Sequence, residues 1–150
     1  MKELVIETLK FIGCYSDDAV NLILGTMAQE SAMGKYRKQI GGGPALGVGQ
    51  IEPATHDDIV KNFLKYHKDL SKKILEWSGM ATFNPLQLER NDKYSICMMR
   101  MQYYRQPKPV PHRVEDLAAM WKKYYNTPLG AGTVAEFINN YNKYVLPLNS

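Results

Sequence analysis

Residues 41–49 read Gly-Gly-Gly-Pro-Ala-Leu-Gly-Val-Gly, and no regular helix can run through them. Glycine loses the most backbone entropy on ordering, and proline removes a helical donor. The chain must therefore turn here in a loop or a short irregular hairpin. On both sides of this break the apolar residues recur with helical spacing. A mostly helical protein with an early glycine-rich loop is the frame for everything else.

Residues 2–12 form a short amphipathic stretch that Gly13 ends. Ser16 or Asp17 then serves as an N-cap, and the acidic pair Asp17-Asp18 suits the positive end of a helix dipole. The helix that follows, with Ala19-Val20-Asn21-Leu22-Ile23-Leu24 as its interior, should run to about Ala32 or Gly34. Beyond the loop, Pro53 suits a first helical turn. Ile59, Phe63, Leu64, Leu70, Ile74, Leu75 and Trp77 carry the rhythm to Gly79. Asn91 or Asp92 caps a helix bearing Tyr94, Cys97, Met98 and Met101. Gln106 to Pro111 must be extended, because each proline biases its predecessor away from helix. Val114, Leu117, Ala118, Trp121 and Tyr125 make a further stripe, and Thr133 with Glu136 forms a capping box ahead of Phe137.

The chain's 150 residues suit one domain, and with 45% hydrophobic residues it can bury a core. Its formal net charge of +4 suits an anionic partner such as a cell-wall polymer, but does not by itself point to nucleic acid. Two cysteines, Cys14 and Cys97, read as buried thiols rather than a disulfide scaffold. The first residues lack the unbroken apolar stretch of a signal peptide, and no run approaches membrane-spanning length. His56, His67 and His112 are too scattered for a metal motif, so neither metal nor cofactor is expected.

Glu30 is the residue that carries candidate chemistry. Ile23, Met27 and Glu30 lie on one helix face that otherwise reads as core. Desolvation there would raise the carboxyl pKa and leave an acid able to protonate a glycosidic oxygen. On periodicity alone a solvated helix-end glutamate carries more weight. The glycine loop fails the phosphate-binding templates, since no Lys-Ser or Lys-Thr follows Gly47. Either it is a flexible turn, or it lines a groove where missing side chains let a bulky polymer approach. Glu52 is a possible second carboxylate, though a helix-start charge explains it as well. Lys35, Arg37 and Lys38 form a basic cluster that is either a solvated face or a contact for anionic wall polymer.

Two segments together shift that weighing. Met27-Ala28-Gln29-Glu30-Ser31, followed by Ala45-Leu46-Gly47-Val48-Gly49-Gln50-Ile51-Glu52-Pro53-Ala54-Thr55, resembles the soluble lytic transglycosylase family of the lysozyme-like superfamily. The family pattern is a Glu-Ser pair at a helix end, then Gly-x-x-Gln leading into Pro-x-Thr. The wording from Gln39 to Asp58 is similar to bacteriophage members. The resemblance implies a mainly α, lysozyme-like domain with an irregular or β-hairpin element near residues 38–51, and a groove with Glu30 at its bottom. It implies Glu30 as catalytic acid and base, with Ser31 and Gln50 orienting it or holding substrate. The family's later tyrosine motif has two placements here, Tyr125-Asn126 with Gly130 after it, or Trp121 after Ala118-Ala119. Both are candidate substrate-binding residues. Asn84-Pro85 matches a structural Asn-Pro of the family.

The implied activity is cleavage of the MurNAc-β-1,4-GlcNAc bond of peptidoglycan with a 1,6-anhydro product. The implied enzyme is a monomer acting on glycan strands without entering the membrane. It would be made in a host cytoplasm and delivered to the wall by a holin or a phage tail. Two alternatives stand beside it. One is a hydrolytic muramidase in which Glu52, Asp57 or Asp58 assists a water. The other is a virion protein that only binds peptidoglycan.

Overall fold

The computed structural model describes residues 1–126 and 130–150. The described residues form seven α-helices: α1 (Lys2–Phe11), α2 (Asp17–Ser31), α3 (Pro53–Asn62), α4 (Lys68–Ser78), α5 (Asp92–Tyr104), α6 (Val114–Trp121) and α7 (Val134–Tyr144). A π-helical turn, Lys122–Asn126, continues α6. The expected caps form: Ser16 Oγ accepts from the Ala19 amide at 3.0 Å, and Thr133 and Glu136 make the reciprocal box.

Two helices are buried nearly all round and form the centre. Every residue of α5 from Tyr94 to Tyr103 is buried, as is almost all of α2 from Ala19 to Ala28. Such helices have no solvent face to show, so an amphipathic stripe understates them. α1 packs on both, α4 on α5, and α6 and α7 on α2. Two polar residues of α5 survive burial through partners outside the helix. Ser95 Oγ donates to the Leu88 carbonyl at 2.5 Å, and Arg100 Nε to the Cys14 carbonyl at 3.1 Å. Cys14 and Cys97 are buried and unbridged, and burial pushes the Cys97 thiol up to about 12.

α2 ends at Ser31, slightly before the expected limit, because Ala32, Met33 and Gly34 all take positive φ. Three successive left-handed residues reverse the chain, at some steric cost for the two non-glycines. Among the described residues no β-strand forms. The segment expected to be irregular or hairpin-like carries two isolated antiparallel bridges, Lys38 to Leu46 and Leu46 to Ile51. No described helix is long and apolar enough to cross a membrane.

Candidate active site

Glu30 sits in the last turn of α2, half-buried, at the wall of a cleft of about 300 Å³. The indole of Trp121, itself wholly buried, donates from Nε1 to Glu30 Oε2 at 3.0 Å. Burial raises the Glu30 pKa from 4.5 to about 7, and the Trp121 hydrogen bond pulls the other way. Indole N–H can only donate, so Oε2 accepts in both protonation states and the proton resides on Oε1.

The glycine loop is tied to this helix end. Ser31 Oγ accepts from the Gly34 amide at 2.8 Å and donates to the Val48 carbonyl at 2.6 Å. Ser31 is 1% exposed, so its hydroxyl joins α2 to the loop and does not face the cleft. Gln50, at φ +47°, donates from Nε2 toward the carbonyls of Tyr36, Arg37 and Gly47, each at 3.1 Å. The side-chain amide thus gathers three loop carbonyls while Gln50 still lines the cleft.

Two glycines are required by close approach. A Cβ on Gly47, at φ +80°, would lie 1.9 Å from the Leu88 carbonyl oxygen. One on Gly49 would lie 2.6 Å from the Tyr125 hydroxyl. That hydroxyl donates to the Gly49 carbonyl at 2.6 Å, and its ring stacks on Tyr103 at 5.3 Å. Burial, with the nearby Glu30, pushes the Tyr125 pKa well up, so the phenol stays a donor. Trp121 and Tyr125 therefore both reach the site with different tasks: one holds the carboxyl, the other holds the loop. Lys122 Nζ donates to Asn126 Oδ1, Gly130 O and Gly132 O at 2.7, 2.9 and 2.6 Å, pinning the far wall.

The other carboxylates separate. Glu52 is exposed and lines the cleft with Glu30. Asp58 is occupied by Arg105 at 2.7 Å and Asp57 by His56 at 2.9 Å, and neither lines the cleft. In the basic cluster, Arg37 pairs with Asp92, Lys38 approaches Glu89 at 3.8 Å and Lys35 lies over the Tyr36 ring. Among the described residues no group of three metal-ligating side chains comes together.

Gln102 is a cleft residue that the sequence reasoning missed. It is 7% exposed and its Nε2 points at the Tyr124 and Tyr125 carbonyls, at 3.4 and 3.5 Å. Its Oε1 is buried without a partner among the described residues. A glutamine inside Met98-Met99-Arg100-Met101-Gln102-Tyr103 was the available signal, since a lone amide in an apolar helix calls for a reason. Comparisons with protein-family models, curated proteins and solved structures return no match for this chain.

Proposed function

We propose that this chain is a lysozyme-like lytic transglycosylase that cleaves peptidoglycan glycan strands with Glu30. The observation that carries the reading is a carboxyl with a pKa of about 7, held by one donor and open to a cleft beside the loop motif. Near neutral pH such a group is partly protonated, which suits a residue that must give a proton and then take one. Glu30 Oε1 donates its proton to the bridging oxygen as the C1–O4 bond breaks. The carboxylate then accepts the proton of the muramyl 6-hydroxyl as its oxygen bonds to C1. The products are a free 4-hydroxyl and a 1,6-anhydro end, with no water consumed.

Glu52 supports a second reading. As an exposed carboxylate lining the same cleft, it is the one of the three candidate partners placed to activate a water, giving hydrolysis and hydrated reducing ends. Mass spectrometry of sacculi digested by wild type, Glu30→Gln and Glu52→Gln separates the two. The transglycosylase reading expects anhydro ends, abolished in Glu30→Gln and retained in Glu52→Gln. Hydrated ends throughout, lost in Glu52→Gln, select hydrolysis. Sacculus binding by wild type without any fragment release would instead leave a binding protein.

A further inference from the structure

A second cavity lies away from Glu30, at the opposite end of α3 from Glu52 and Thr55. It is a groove of about 590 Å³ between the end of α3, the turn Leu64–Tyr66 and α4. Val60, Leu64 and Leu75 give it an apolar floor, and Phe83 closes one side. The one hydroxyl in the lining, Ser71 Oγ, is already donated to the Leu64 carbonyl at 2.7 Å.

Lys61, Lys65, Lys68 and Lys72 rim this floor, and no carboxylate lines it. None of the four is in an ion pair among the described residues. Together they equal the whole formal excess of +4 on the chain. Positions 68, 71, 72 and 75 share one face of α4, while Lys61 lies in the last turn of α3 and Lys65 in the turn Leu64–Tyr66 that follows it. Two of the most exposed large apolar side chains lie near the groove, outside its lining. They are Tyr66 at 71% and Leu86 at 72%, the latter in a turn that packs on α3.

We propose that this groove seats the protein on a membrane surface rich in anionic phospholipid. The lysines meet the lipid phosphates, the apolar floor takes up acyl-chain surface, and Tyr66 and Leu86 enter the interface. Lysines beside exposed aromatic and aliphatic groups are the combination that binds an anionic bilayer without spanning it. An uncharged apolar ligand leaves four cations unmet, and a purely polar polyanion leaves the floor unused. α3, at roughly 15 Å long for its ten residues, then holds the Glu30 cleft away from the lipid. This inference stands whether or not the chain cleaves glycan.

Co-sedimentation of the full chain with phosphatidylglycerol or phosphatidylcholine vesicles tests it. Wild type is expected to bind the first and not the second. Replacing Lys61, Lys65, Lys68 and Lys72 together by Gln should reduce partitioning by about fivefold per lysine. A control with Lys93, Lys108, Lys123 and Lys143 replaced by Gln has the same net charge and should keep most of the binding. Leu75→Gln should weaken binding severalfold, with thermal melts confirming that each variant folds. No binding to phosphatidylglycerol, equal loss in the two quadruple variants, or unchanged binding by Leu75→Gln overturns the proposal. So does equal affinity for soluble polyglutamate, which would show that charge alone suffices.

Discussion

The Trp121 indole N–H reaches Glu30 Oε2 at 3.0 Å across 91 positions of sequence. It is the one hydrogen bond from a described side chain to this carboxyl, and it favours the charged form against the desolvation that favours the neutral one.

Trp121→Phe removes that donor while keeping an aromatic ring in the core. The Glu30 pKa should then rise above about 7, because its charged form loses its hydrogen bond. A general acid works while protonated, so the alkaline limb of the pH–activity profile should move upward. Activity at its optimum should fall by about tenfold or more, as a hydrogen bond to a charged group is lost. Glycan digestion measured across pH checks both, and a limb that stays put or moves down contradicts the assignment.

Glu30 should also make stability depend on pH. Its folded pKa lies above the ordinary 4.5, so the folded state holds the proton more tightly than the unfolded chain. The carboxyl is neutral in its effect at pH below about 4 and increasingly destabilising as pH rises toward 7, beyond which the effect levels off. Glu30→Gln should therefore melt near wild type in acid and be more stable by about 1–3 kcal/mol at pH 8. Melting curves for both proteins at pH 4, 6 and 8 would reveal the widening gap.

Ser31→Ala is expected to damage the joint between helix and loop rather than the chemistry. It leaves the Gly34 amide and the Val48 carbonyl without their shared partner, in a site only 1% exposed. Two unpaired groups should cost about 2–3 kcal/mol of stability. The pH profile of whatever activity remains should keep its alkaline limb, and a shifted limb would mean that Ser31 acts on Glu30 directly.

Gly49→Ala places a Cβ 2.5 Å from Met99 Cγ and 2.6 Å from the Tyr125 hydroxyl. Overpacking of this kind costs about 1–3 kcal/mol. Tyr125→Phe alone should cost about 1 kcal/mol through the lost hydrogen bond to the Gly49 carbonyl. Combining them should recover part of the loss, since the phenolic oxygen is one of the two clashing groups. A double-mutant cycle by denaturant unfolding measures this coupling, and strict additivity would argue against the contact.

Much of the helical frame was readable because its signals are local. Ser16, Asn91 and the Thr133–Glu136 box cap the helices they were expected to cap, each through a contact spanning three residues. The glycine run stays out of helix, as expected, though α2 has already ended at Ser31. Burial of α5 was not readable, since Ser95, Arg100 and Gln102 interrupt its apolar pattern. Arg100 is accommodated by a carbonyl 86 residues away, which no local window contains.

The candidate site divides the same way. Glu30, Gln50 and the glycines could be picked out from the paired motifs that carry them, because these lie within one segment of chain; helical spacing alone favoured a solvated Glu30. The separate tasks of Trp121 and Tyr125 could not. Their four-residue spacing reads as one shared helical face, but the π-helical turn beginning at Lys122 changes the register between them. Local pattern specifies a helical chain with a non-helical loop and a carboxylate before it. Long-range packing is what desolvates this carboxylate, brings one indole to hold it and puts Glu52 in its cleft. Those properties depend on what surrounds a side chain in space, and burial and hydrogen-bond partners come from segments far apart in the chain.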